Sequence, residues 1–254
     1  MVAPSSLKNL IVVACHAPFK ETTLTVPARP ELDDAWVLQP FQAGEPPLYI
    51  AHARRGVELL QDDPDALLLF SGGYTRREAG RRWSEAQTYW SVAKAQDWWS
   101  ARAGDIEPRA MESRTALEDY SRDSFENLLF SLCRFQQVVG RYPHHVTLMS
   151  WAFKRERFDL HREAIRFPAQ RFRFHGFNEP IGLAAALRGE AITMAAFRRN
   201  RYGSDGPIAE KRISRNPFNR EHHFRSCPQM EEFFRFLENP SNADREFSPR
   251  LPWE

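Results

Sequence analysis

Nothing in this 254-residue chain is long and apolar enough to cross a bilayer. The run Leu10-Ile11-Val12-Val13-Ala14 near the N-terminus falls far short of the roughly 18 to 20 residues a membrane helix needs, so neither a signal peptide nor an anchor is expected. Cysteine is scarce: Cys15, Cys133 and Cys227 are odd in number and lack metal-type spacing. That argues against a disulfide scaffold or a zinc ribbon and points to a reducing compartment, the cytosol by default. Charge of one sign is not in excess either, with 35 Lys and Arg against 33 Asp and Glu and a net charge of +2. The whole chain is therefore not a polyanion binder, and any basic function has to be local. Also missing are the GxGxxG fingerprint, the P-loop and the nucleophile elbow, which removes the common dinucleotide, nucleotide-hydrolase and serine-hydrolase readings. There is no internal repeat and no low-complexity segment.

What is present centres on Leu117 to Asn127 and the amphipathic segment after it. Phe125, Leu128, Leu129, Leu132, Phe135 and Val139 recur at the three-and-four spacing of a helix with one buried face. Asp123 suits the N-cap and Glu126 completes a capping-box pattern, so the spacing predicts a first turn at Ser124. Glu118, Ser121, Arg122, Asp123, Ser124, Glu126 and Asn127 supply more charges and hydrogen-bonding groups than one cap requires. By helical-wheel angle Glu126 and Asn127 lie off the apolar stripe, where they can face a cleft. An elaborate cap on a solvated face accounts for the same residues.

The rest of the chain alternates short buried apolar runs with longer amphipathic ones, the pattern of an open, mainly parallel sheet covered by helices on both faces. Residues 9 to 14 read as a central strand, with His16 just past its carboxyl end. Residues 17 to 45 read as a long loop, and Pro46 to Leu60 as a helix. A second strand, Ala66 to Phe70, runs into Ser71-Gly72-Gly73, where two glycines allow a tight turn with backbone N–H groups presented to an anion. A helix from about Arg76 to Trp99 is expected to carry Glu85 together with Arg76, Arg77, Arg81 and Arg82. Those cations oppose the dipole at its start, which makes one of them a candidate anion contact. Its tryptophans read as core or interface rather than a stacking platform. A short strand is expected near Arg109 to Glu112, a fourth at His145 to Ser150 leading into Lys154 and Arg157, and a fifth at Arg171 to Gly176.

Beyond residue 178 the character changes. Residues 1–178 read as one α/β domain and 179–254 as an extension packing on it. Ile181 to Phe197 and Glu231 to Leu237 read as helices. Between them, residues 198 to 225 hold eight cations against three carboxylates, and Tyr202, Ile213, Phe218 and Phe224 punctuate the charge. This reads either as a lid over an anionic ligand or as a flexible surface arm, and the anchoring aromatics favour a basic lid that folds back toward Asp123. His222-His223 lacks the spacing of further ligands, and no metal is expected.

The pattern Glu118-x-x-Ser121-Arg122-Asp123-Ser124-x-Glu126-Asn127, with Ser71-Gly72-Gly73 and Ser84-Glu85-Ala86 before it and Phe153-Lys154-x-x-Arg157 after it, resembles the DUF218 family (YdcF/SanA/ElyC-like), its eukaryotic branch most of all. The likeness spans roughly residues 8 to 178 in order and spacing. It implies a Rossmann-like α/β fold. The family often has His where this chain has Lys154, and several bacterial members are placed at the cell envelope.

If four strand ends converge on one sheet edge, His16, Ser71, Gly72, Gly73, Ser121, Asn127, Ser150, Lys154 and Arg157 form a ligand-binding cleft, with Glu85, Asp123 and Glu126 as its acid/base carboxylates. Such a cleft suits an anionic, phosphate-containing or nucleotide-like small molecule. Group transfer or hydrolysis is one use of it. Binding without turnover, of S-adenosylmethionine-like compounds for example, and a protein-interaction module are the alternatives. Nucleic acid is a minor one, and the residues leave cofactor and oligomeric state open.

Overall fold

The computed structural model describes residues 4–102 and 108–254. Five strands, β1 (Asn9–Ala14), β2 (Ala66–Ser71), β3 (Thr115–Glu118), β4 (His145–Ser150) and β5 (Phe172–Gly176), form one all-parallel sheet in the order β3-β2-β1-β4-β5. Val12 of β1 stands opposite Leu69 of β2 on one side and Leu148 of β4 on the other. The expected α/β, Rossmann-like architecture is therefore present. The strand order reverses between β1 and β4, and in such sheets ligands bind outside the carboxyl ends at that reversal.

Alternation along β1 divides the core in two, because successive side chains of a strand point to opposite faces. Leu10, Val12 and Ala14 join the face covered by α4 (Ser124–Val139) and α5 (Arg155–Ala164). Ile11, Val13 and Cys15 join the face covered by α1 (Pro46–Asp62) and α2 (Glu85–Ala95). The stripe anticipated on α4 is buried, with Phe125, Leu128, Leu129, Leu132 and Phe135 at most 1% exposed. Each such side chain contributes about 2 kcal/mol on leaving water. Gly140, at φ +86, ends α4 in the left-handed region, and its N–H donates to Gln136 O at 2.7 Å.

The C-terminal third extends the first core face rather than making a separate one. Phe197 at the end of α6 (Leu183–Arg199), Ile208 in α7 (Gly206–Ser214), Phe233 and Phe234 in α8 (Glu231–Glu238), and Phe247 and Trp253 beyond it all pack into the α4 cluster. Trp253 Nε1 donates to Ile165 O at 2.7 Å, pinning the tail to the end of α5.

Two boundaries differ from expectation. Residues 108–112 form the short helix α3 (Pro108–Glu112), and the strand lies at Thr115–Glu118 instead. Met111 is buried by that helix, and Leu117 and Glu118 pair with Phe70 and Ser71. The helix expected from Arg76 begins only at Glu85, because Ser84 caps it by accepting from Gln87 N at 2.8 Å. Gly80, at φ +59, turns the preceding chain. Arg76, Arg77, Arg81 and Arg82 thus precede the helix, and the supposed conflict with its dipole does not arise. Trp83 and Trp98 are buried in the α1–α2 core.

Candidate functional site

At the reversal of strand order, a cavity of about 430 Å³ opens above the carboxyl ends of β1 and β4. Its walls come from α5, α6, α7, the start of α4 and the loop that carries Phe41, Gln42 and Glu45. His16, two residues past β1, and Ser150, the last residue of β4, form part of its floor. Ser150 is fully buried, and its Oγ has no hydrogen-bond partner; the Nε2 of His16 is also buried and unpartnered. The His16 ring stacks on Trp151 at 5.0 Å and meets His52 edge-on at 5.2 Å. Burial, then the nearby Lys154 charge, holds the His16 imidazole well below its ordinary pKa, so it is neutral at physiological pH.

Six cations border this space: Arg76, Arg122, Lys154, Arg157, Lys211 and Arg215. Arg157 is bound by Glu190 at 2.5 Å, leaving its Nε and the other Glu190 oxygen buried without partners. Arg215 donates to Arg122 O at 2.9 Å. Among the described residues, Arg76, Lys154 and Lys211 form no ion pair, and the Lys154 ammonium lies 5.8 Å from the Phe153 ring. These charges feel one another. Burial and then Arg157 push Lys154 well below the usual lysine range, and burial followed by Arg215 and Arg157 brings Lys211 down to about 8. A cluster held in this mutually repelled state favours any anion that enters it.

Beside the cations lies the start of α4, a buried polar network. Asp123 Oδ1 accepts from Glu126 N at 2.9 Å, closing the helix cap. Its other oxygen accepts from Arg212 Nε at 2.6 Å, and Arg212 also lies 3.2 Å from Glu126. Burial opposes ionisation of Asp123, but the Arg212 charge outweighs it and holds the carboxyl below its ordinary value. The Glu126 carboxylate accepts from the Arg122 backbone N–H at 2.8 Å and from Arg122 Nε at 2.9 Å. It therefore closes on Arg122 and not on the capping residue Asp123.

Deeper still, Glu118 accepts from Ser71 Oγ at 2.5 Å and from the Tyr120 and Ser121 N–H groups at 2.8 and 3.0 Å. Asn127 Nδ2 then donates to both Ser71 and Ser121 at 2.8 Å.

The structure gathers most of the anticipated residues but not all. His16, Glu85, Ser121, Asp123, Asn127, Ser150, Lys154 and Arg157 border the cavity. Ser71, Gly72, Gly73 and Glu126 stand one layer behind it. The Gly72 and Gly73 N–H groups are spent on Glu118 O and Ser121 O at 3.0 and 2.8 Å, so they are not presented to an anion. These glycines serve close packing: a Cβ on Gly72 would lie 2.7 Å from Glu85 Cβ, and one on Gly73 would lie 2.6 Å from Ser121 O. Glu126 is 3% exposed and faces two guanidinium groups rather than a cleft. Among the candidate carboxylates, Glu85 alone borders the cavity without an ion pair among the described residues; the Thr75 hydroxyl donates to it.

Sequence reasoning did not single out Glu45 or Glu190; Lys211 and Arg215 belong to the basic segment 198–225, and the expectation that an arginine of that segment reaches the start of the Asp123 helix is met by Arg212. Neither Lys211 nor Arg215 was named as a site residue. For the last two a signal existed, since Ile208, Lys211, Arg212 and Arg215 recur at helical spacing. The described residues contain no group of three or more His, Cys, Asp or Glu arranged to hold a metal, and no helix long and apolar enough to cross a membrane.

Fold and site together define an α/β protein with a cation-lined cavity at the carboxyl edge of a parallel sheet. No protein-family profile matches the chain, and no solved structure does. It is similar to the uncharacterized protein YOR238W of Saccharomyces cerevisiae (strain S288c), at 25% identity over 257 residues, covering 84% of each chain.

Two outcomes follow from the network. Glu126→Gln removes a charge that holds Arg122 and Arg212, and loss of charge-assisted bonds at this burial should lower the unfolding free energy by about 2 kcal/mol in urea titrations. A loss below about 0.5 kcal/mol, the cost of an ordinary surface change, would contradict this. Burial also pushes the Glu118 carboxyl up to about 7 from an ordinary value of 4.5, against the hydrogen bonds from Ser71 and Ser121. The folded chain thus keeps a proton that the unfolded chain releases across that window, and its stability falls as pH rises through it. Comparing wild type with Glu118→Gln at pH 5 and pH 7.5, the difference should move toward the variant by up to about 3 kcal/mol. A difference independent of pH would show that Glu118 does not titrate there.

Proposed function

We propose that the cavity binds an anionic, phosphate-containing small molecule and acts on it by hydrolysis or group transfer, with Glu85 as the acid/base carboxylate. The observation that carries this reading is the convergence of Arg76, Arg122, Lys154, Arg157, Lys211 and Arg215 on one enclosed space, with Arg122 and Arg157 each held by a carboxylate and the other four in no ion pair among the described residues. A phosphoryl-type oxyanion satisfies several such donors at once, including the unpartnered Ser150 Oγ and Arg157 Nε. Glu85 supplies a proton acceptor at the same wall. Membership of the DUF218 family belongs to the same proposal, supported by the spacing of these residues. A cytosolic location is supported by three free, buried thiols.

A second reading, binding without turnover, is favoured by the ion pairs that hold Asp123 and Glu126, because they leave one candidate carboxylate for chemistry. One experiment separates the two. Inorganic phosphate and 4-nitrophenyl phosphate are titrated calorimetrically into wild type, Lys154→Ala and Glu85→Gln, and phosphate release from the ester is followed in parallel. Lys154→Ala should weaken phosphate binding at least tenfold, about 1.4 kcal/mol. Glu85→Gln should keep binding within about threefold while release falls at least a hundredfold, about 2.7 kcal/mol of barrier. Binding without any release by the wild type would support the non-catalytic reading. Failure of both anions to bind would remove the proposal.

A further inference from the structure

The cavity has chemically different walls. Glu85, Ser150, Lys154 and Arg157 reach it from the sheet side, and Lys211 and Arg215 from α7. A further wall is α6 with its N-cap, where Gly182, Ala185, Ala186, Gly189, Thr193 and Phe197 recur at helical spacing. Small side chains there leave a trough, and Phe153 and Phe158 border the cavity from the side of α5. Glu190, the charged member of this face, is turned to Arg157. Thr193 Oγ1 is turned back to its own helix and donates to Gly189 O at 2.9 Å. Among the described residues, the unpartnered hydrogen-bonding group of the α6 wall is the second Glu190 oxygen, and the rest of that wall, alanine, glycine and phenylalanine, offers a nucleobase or a sugar no side-chain partner. Phe41, which borders the cavity, is 65% exposed, and Ile181, between the cavity-lining Pro180 and Gly182, is 64% exposed. The two segments adjoin, since Ile181 Cδ1 lies 3.0 Å from where a Cβ on Gly44 would sit and the Phe41 carbonyl 3.9 Å from where one on Gly182 would sit.

Resting on the anion-binding reading above, we infer that the ligand is an amphipathic organic phosphate, a phosphoryl group on the cations with an apolar body laid along the trough of α6, and not a nucleotide. Apolar surface drives the body into the trough in proportion to the area it removes from water, whereas a base and ribose would leave polar edges facing alanine, glycine and phenylalanine. Discrimination arises from unsatisfied polar groups as much as from contact.

Gly189 gives a test that leaves the fold intact. A Cβ built there meets no atom within 4 Å, and glycine in a helix interior is less favourable than other residues, so a side chain at this position starts into open space. Calorimetric titrations compare inorganic phosphate, octyl phosphate, 1-naphthyl phosphate and AMP on wild type, Gly189→Leu and Lys154→Ala. The wild type should bind the octyl or the naphthyl ester at least tenfold more tightly than inorganic phosphate or AMP. Gly189→Leu should erase that advantage while its affinity for inorganic phosphate stays within about twofold. Lys154→Ala should weaken all four. If AMP binds as tightly as the apolar esters, or if the apolar body adds nothing to phosphate alone, the amphipathic assignment is overturned while the anion site stands. If Gly189→Leu leaves the ester advantage untouched, the trough is not where the body lies, and the assignment is overturned on that ground. If none of the four binds, both the anion-binding reading and this inference fall.

Discussion

A carboxylate that is both buried and ionised calls for a cation, and at the start of α4 two of them find one. Asp123 and Glu126 are both nearly solvent-free, and leaving either unpaired would cost several kcal/mol. Arg212 meets this demand from 89 positions further along the chain. Because Arg212 belongs to α7, its burial fixes the rotation of that helix, and the residues one position before it and three after it follow. Lys211 and Arg215 are thereby delivered to the cavity wall. The positive character of the site is thus a consequence of how the helix cap is neutralised.

This arrangement also explains why so few candidate carboxylates are left for chemistry. Asp123 is spent as a cap and as an ion-pair partner, and Glu126 holds the Arg122 backbone and side chain. Glu118 is locked beneath Ser71, Ser121 and Asn127 and orients those side chains. The candidate that borders the cavity without an ion pair among the described residues is Glu85, presented by the first turn of α2 because Ser84 caps that helix and Gly72 allows its close approach.

The sheet and α4 were legible in the sequence because their signals are periodic: continuous apolar runs for strands buried on both faces, and a three-and-four stripe ending in Asp123. The start of α2 was also written there, in Ser84-x-x-Gln87, but the arginines before it were read as part of the helix. Glu126 shows where a helical wheel stops. Its angle places it off the apolar stripe, yet burial depends on what covers that angle, and the covering residues lie in α7. The Gly72 and Gly73 N–H groups illustrate the same limit, because whether a strand-end amide is free depends on the chain beside it, here Glu118 and Ser121. Ion pairs over long sequence separations, such as Arg157 with Glu190, leave no local pattern.

The central claim is that the cations at the β1–β4 end form one oxyanion site. A crystal soaked in tungstate, a heavy oxyanion of phosphate-like shape, tests it most directly through anomalous scattering. The account predicts one dominant peak within hydrogen-bond reach of Arg157 and of at least one of Lys154, Lys211 and Arg215. An empty cavity at saturating tungstate, or a dominant peak elsewhere on the molecule, would contradict it.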